Sequence, residues 1–303
     1  MLDRAITLYV RWFAPIVIVL AVVTVPITVL QALASPHAGH VFSDMARVFS
    51  SAGNAAASRQ AAEALSRDNQ SSPLAVLVIF VAILARLLMW CALVSVVAAA
   101  YGGASTSLAQ AYRFALRRWF PQVIVALAYA VLSGFAFVPV FVLYLIVFIA
   151  AIGLSALHQT VAMIVVLIAG GLLFCALVLT VGPLLFMSYE LASVAAITET
   201  PNPVQAIGIG LRRAFAPGMK RRTVVAGLVL MLVSQLGTLP LLGVAALAAA
   251  VTKIDALYFA IFGAGSVLLE GIVATFVVVY AVDVRIRREG YDIIVADPPP
   301  APV

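Results

Sequence analysis

Long apolar runs alternate with short polar segments along this chain, at roughly residues 13 to 34, 74 to 100, 122 to 152, 161 to 189, 223 to 251 and 257 to 282. A helix needs about 20 mainly apolar residues to cross the hydrocarbon core of a bilayer, and each run is long enough. They predict an all-α, polytopic membrane helix bundle: six transmembrane helices in three hairpins, within a single membrane domain over 1–295. The third and fourth runs exceed the core thickness and contain Pro139 and Pro183, so tilt, a kink or a short interfacial helix is expected there. The first run ends at the small-x-small sequence Ala32-Leu33-Ala34. Its apolar stretch is nevertheless longer than the roughly 7 to 15 residues of a signal-peptide core, and it is read as a span.

Two segments between the runs carry a different period. From Leu108 the apolar positions fall at Leu108, Ala111, Tyr112, Ala115, Leu116 and Trp119, the spacing of a helix with one apolar face. Gln110, Arg113, Arg117 and Arg118 lie off that stripe. The segment QAYRFALRRWF, 110–120, returns as QAIGIGLRRAF, 205–215, with six identities in eleven positions. The later copy puts Val204, Ile207, Leu211 and Phe215 on one face, beside Arg212 and Arg213, and its Gly208 and Gly210 make it the weaker helix. Both segments, 107–120 and 203–215, predict amphipathic interfacial helices. Arg113, Arg117, Arg118, Trp119, Arg212 and Arg213 would then contact lipid headgroups, with Pro121 marking the turn into the third span. Each copy follows an outward-then-inward pair of spans, which describes a parallel duplication of a two-span unit.

Composition agrees with this layout and adds an orientation. The chain of 303 residues is 65% hydrophobic and 10% charged, against about 25% charged in an ordinary soluble domain. Thirteen Lys and Arg residues fall in the termini and loops of one side, and only Arg47, Arg59, Arg67 and Lys253 on the other. Arg86 remains inside a span. The positive-inside rule places both termini in the cytoplasm, as expected for a multi-pass protein of a bacterial inner membrane. The basic excess orients the chain and gives no reason to expect nucleic-acid binding. The outer loop 35–72 reads as a solvated connector or a lid, and the Pro-rich tail 296–303 as disordered.

Arg86 stands about 12 residues into the second span and Glu270 about 13 into the sixth, in spans that run the same way and at similar depth. Ionisable groups there cost several kcal/mol unless paired or wetted. Three readings stay open: an ion pair stapling two helices, a polar cavity for transport or proton movement, and separate snorkelling side chains. Glu190 and Glu199, at the inner end of the fourth span, could reach Arg212 or Arg213 in a solvated contact worth little. Cys91 and Cys175 lie in apolar runs without a CxxC spacing, and His37, His40 and His158 lack carboxylate support for a metal. YGGASTS (101–107) and FGAGS (262–266) lack the context of a phosphate loop. No catalytic constellation, metal set or cofactor motif is found.

The most specific string is YAVDVRIRREGYDI, 280–293. It continues the sixth span as a helix with Asp283–Arg287, Arg285–Glu289 and Arg288–Asp292 at i, i+4, and Gly290 as its cap. The pattern Tyr280, Asp283, Arg285, Arg287, Arg288, Glu289, Gly290, Asp292 resembles the C-terminus of bacterial six-span proteins related to the glycerophosphoryl diester phosphodiesterase membrane domain. Members of that family also carry a basic amphipathic helix before the third span and another before the fifth, the places occupied here by 107–120 and 203–215. The double aromatic that often precedes the family's Asp is reduced to Tyr280-Ala281-Val282. The soluble phosphodiesterase barrel found in some members has no counterpart, since nothing after Ile293 is long enough to fold. Together these readings describe a non-enzymatic membrane scaffold or accessory module that meets anionic inner-leaflet lipid, a membrane-protein partner or a second copy. The alternative is a small-solute or lipid transporter with a midplane polar site at Arg86 and Glu270.

Overall fold

The computed structural model describes residues 2–34, 73–156, 159–252 and 254–289. Eight helices, and no strand, occur among them: α1 Leu2–Arg11, α2 Phe13–Ala34, α3 Pro73–Tyr101, α4 Leu108–Ala156, α5 Thr160–Thr198, α6 Pro203–Ala214, α7 Lys220–Thr252 and α8 Asp255–Glu289. Six of these, all but α1 and α6, are long and apolar enough to cross a bilayer. The chain is a multi-pass membrane protein. The outer loop 35–72 with His37 and His40, His158, and the tail 296–303 lie outside the described residues.

Two elements differ from expectation. The segment expected as a separate interfacial helix at 107–120 is the first part of α4, which runs through Pro121 and Pro139 without a break. A proline inside a helix removes one backbone hydrogen bond, and here neighbouring turns carry the helix past it. At 49 residues, α4 is about 73 Å long, more than twice a hydrocarbon core of about 30 Å. The second difference is α1. Ala5 and Tyr9, one turn apart, are buried, while Leu2, Ile6 and Val10 are exposed.

The described chain packs as two compact units, Met1–Trp119 with Val233–Tyr280 and Phe120–Leu232 with Ala281–Val303. In the first unit α2 packs on α3, with Ile16, Val19 and Leu20 buried on one and Leu93, Val94 and Val97 on the other. The opening turns of α4 are tied to this pair. Tyr112 Oη donates to the Val19 carbonyl at 2.7 Å and Trp119 Nε1 to the Leu84 carbonyl at 3.1 Å. A helical carbonyl keeps a second lone pair after its i+4 bond, so both donors are satisfied without unwinding their hosts. Tyr9 is held the same way, its hydroxyl 3.2 Å from the Leu268 carbonyl. Burial pushes the Tyr9 phenol above its usual range, which keeps the donating proton in place.

In the second unit α6 lies on α5 by a face rotated from the one its apolar stripe suggests, with Ile207 of that stripe at the edge of the contact. Ala206, Gly210 and Ala214 are buried, whereas Val204 is 73% and Phe215 38% exposed. The reason is distance. A Cβ at Gly210 would stand 2.6 Å from the Ser188 carbonyl oxygen and 2.6 Å from Ala192 Cβ. Between membrane helices, small residues let backbones approach, and van der Waals contact replaces the hydrophobic drive that lipid removes. Ile207 and Ile209 pack at the edge of this contact, and Val204 and Phe215 are left for the apolar solvent. Gly210 is therefore a packing residue, and Gly208, with nothing within 4 Å of its missing Cβ, is not. Gly210→Val should lower the thermal midpoint of the detergent-solubilised chain, by the overpacking cost of about 1–3 kcal/mol. Gly208→Ala should leave the midpoint unchanged or raise it, through a helix-propensity gain of up to about 1 kcal/mol.

Candidate functional site

The duplicated segment is built alike at both places, beginning three residues before the recognisable repeat. Ser107 caps α4: the Gln110 N–H donates to Ser107 Oγ at 3.3 Å, and the Ser107 N–H donates to Gln110 Oε1 at 3.1 Å. This is a reciprocal capping box. Asn202 caps α6, its Oδ1 accepting from the Val204 and Gln205 N–H groups, while Gln205 Oε1 accepts from the Thr200 hydroxyl. The Gln of the repeated Gln-Ala pair is thus the third helical residue in both. One turn apart on the inward face follow Ala111 and Ala115 in one copy and Ala206 and Gly210 in the other, all buried.

That register separates the two arginines of each pair. Arg117 and Arg212 are exposed. Arg118 is half-buried, its Cζ 5.9 Å from the Phe114 ring centroid, and Arg213 is only 4% exposed. The structure corrects two expectations here. Arg213 is not a headgroup contact, because it makes a two-pronged bond to Glu199, Nη1–Oε1 2.7 Å and Nη2–Oε2 2.9 Å. Nor is that contact solvated, since the Glu199 side chain is 13% exposed. The Trp119 indole, expected among headgroups, has its N–H committed to α3.

Glu199 sits at the C-cap of α5, where the negative end of the helix disfavours a carboxylate. Two guanidinium groups offset that cost. Besides Arg213, in the last turn of α6, Arg285 brings its Nε to 3.6 Å from Glu199 Oε1. Three separate elements of the second unit, the end of α5, α6 and the last turns of α8, converge on one carboxylate. Of the other C-terminal residues, Asp283 and Arg287 pair at 2.7 Å, and Tyr280 is buried and stacked on Phe276. The side chains of Arg288 and Glu289, and residues Gly290 and Asp292, lie outside the described set.

A polar group that the sequence reading did not single out lies beside this centre. Gln122 Nε2 donates to Ser193 Oγ at 2.8 Å and to Tyr189 Oη at 3.3 Å, and Tyr129 Oη and Ser188 Oγ are 2.6 Å apart. Gln122, Ser188 and Ser193 are fully buried. Buried as well, Glu190 Oε2 has no hydrogen-bond partner among the described residues. The signal was present as polar residues clustered where one apolar run begins and another ends.

In the first unit the structure brings Arg86 and Glu270 together, Nη2 to Oε1 at 3.9 Å. This is ion-pair range and beyond hydrogen-bond length. Arg86 also lines a small recess with Thr24, Ile27, Thr28, Gln31, Phe259, Phe262, Gly263 and Ser266. Cys91 is buried and Cys175 exposed, both as thiols. No group of three or more His, Cys, Asp or Glu able to hold a metal occurs among the described residues.

Removing Glu199 would leave Arg213 charged and buried, a cost of about 3–5 kcal/mol. Glu199→Gln should lower the thermal midpoint sharply, and Glu199→Gln with Arg213→Met should recover most of the loss. Arg212→Gln, at an exposed position, should shift it little. Comparison of the chain with protein-family models, with curated proteins and with solved structures found no match.

Proposed function

We propose that this protein is a non-enzymatic module of a bacterial inner membrane, with both termini cytoplasmic, that organises anionic lipid and through it a membrane-protein partner. The observation that carries the reading is the matched outward face of the two copies. Each exposes the first arginine of its pair, Arg117 or Arg212, and turns the second inward, Arg118 half-buried and Arg213 buried. An exposed guanidinium beside exposed apolar side chains, Leu116 and Phe120 in one copy and Phe215 in the other, suits the boundary between headgroups and acyl chains. Arg113, Lys220, Arg221 and Arg222 are also exposed and add to the attraction for phosphate. The C-terminal likeness to the glycerophosphoryl diester phosphodiesterase membrane domain supports a role at a lipid surface and supplies no reaction.

A transporter built on Arg86 and Glu270 is the second reading, favoured by the polar wall of the recess. Its volume of about 20 Å³ holds one or two waters, which suits a closed core better than a solute path. In liposomes of mixed phosphatidylglycerol and phosphatidylethanolamine, energy transfer to labelled phosphatidylglycerol should report its enrichment around the wild-type chain. Arg117→Gln with Arg212→Gln should reduce that enrichment by about 1 kcal/mol per arginine, and added salt should do the same. Undiminished enrichment in the double variant counts against the reading.

A further inference from the structure

The Arg86 recess has a charge pattern that neither stapling of helices nor contact with an anionic bilayer uses. Half of the Arg86 side chain (51%) and nearly a third of that of Glu270 (30%) are exposed, although the two charges stand only 3.9 Å apart. A pair serving only to join two helices gains most from a short, two-pronged, enclosed contact, as Arg213 and Glu199 make. Arg86 and Glu270 are held close and left open. Among the described residues the Arg86 guanidinium makes no hydrogen bond, and the side chain, half of it exposed, lines the recess.

The wall supplies matching groups. Thr28 and Gln31 on α2 bring a hydroxyl and a carboxamide beside Arg86, both without a hydrogen bond among the described residues. Ser266 on α8 spends its proton on the Phe262 carbonyl, so its oxygen can only accept. Gly263 leaves room against Thr28, where a Cβ would lie 2.6 Å from the threonine oxygen. The recess, about 20 Å³, takes a single oxygen of an anionic group and not a whole solute. The bulk of any occupant must lie outside, against the exposed part of the arginine.

Net charge then selects the class. Arg86 and Glu270 sum to zero, so a net anion would gain from one and be repelled by the other. A molecule carrying both signs a few ångströms apart meets each with its opposite. We propose that this recess, with Glu270 beside it and 3.9 Å from Arg86, binds the zwitterionic ammonium-phosphate group of phosphoethanolamine, a phosphate oxygen in the recess with Arg86, Thr28 and Gln31, and the ammonium outside it on Glu270. The group can belong to a bilayer lipid or to a free headgroup. This site is separate from the outward arginines of the two copies and does not depend on their role.

The test is lipid binding by the full chain in detergent, followed by native mass spectrometry, with phosphatidylethanolamine and phosphatidylglycerol as paired probes and calorimetry with soluble phosphoethanolamine. The wild type should retain phosphatidylethanolamine in preference to phosphatidylglycerol. Glu270→Gln leaves the site with net positive charge and should move that preference toward phosphatidylglycerol by on the order of tenfold or more. Arg86→Gln should weaken both lipids, and so should Thr28→Val, to a lesser degree and with the thermal midpoint kept, because both residues meet the phosphate that the two lipids share. Binding of soluble phosphoethanolamine assigns the free headgroup, and binding only of the intact lipid assigns the bilayer; either outcome supports the proposal. A Glu270→Gln protein with an unchanged midpoint and an unchanged lipid ratio overturns it, as does failure of the wild type to bind either probe. The shift in the ratio caused by Glu270→Gln should be the same in an Arg117→Gln, Arg212→Gln background, which separates the two sites.

Discussion

Helix geometry forces a guanidinium inward in the second unit. On α6 the small face is Ala206, Gly210 and Ala214, and residue 213 lies three positions past Gly210 and seven past Ala206, on the same side of the helix. Docking that face on α5, close enough for Gly210 to meet the Ser188 carbonyl, carries Arg213 into the interior. A buried charge of this kind is tolerated only with a partner of opposite sign and good geometry. Glu199, at the end of the helix against which α6 packs, supplies it, and Arg285 brings the last turns of α8 to the same carboxylate. Close packing creates the electrostatic demand, and the electrostatic contact fixes where the packing must occur.

The first copy meets the same demand with aromatic donors. Ala111 and Ala115 are buried, and Tyr112 and Trp119 turn their polar atoms onto the carbonyls of α2 and α3. In hydrocarbon, every donor must find an acceptor within the protein, and a main-chain carbonyl is always at hand. The two copies share caps, small inward residues and an outward arginine. They differ in what anchors the inward edge, an ion pair in one and hydrogen bonds to backbone in the other.

The six spans were legible because length and apolarity alone define them, and the repeat was legible from identities at Gln110/Gln205 and Arg117/Arg212. The nearness of Arg86 and Glu270 could be read from equal depth in parallel spans. The facing of α6 could not, because periodicity shows where large apolar residues lie and not which solvent they meet; in a membrane, Val204 and Phe215 belong outside and Gly210 inside. The inward turn of Arg213 followed the same blind spot, since an arginine at a helix end is by default assigned to headgroups. The continuity of α4 through Pro121 was hidden because a proline after a charged segment usually marks a boundary. The helix α1 carried a signal, Ala5 and Tyr9 one turn apart, too short to stand out beside six long runs.

The inward arginine also has a place in the chain's history during synthesis. Orientation in the membrane is decided while segments insert, before helices have packed, and each Lys or Arg counts then at full charge. By that rule Arg213 counts among the basic residues of its side, yet in the folded chain it is buried in its pair with Glu199. The arginines that the folded protein presents at its surface are therefore fewer than those the positive-inside rule counts on that side, although the net charge there is unchanged by the pairing.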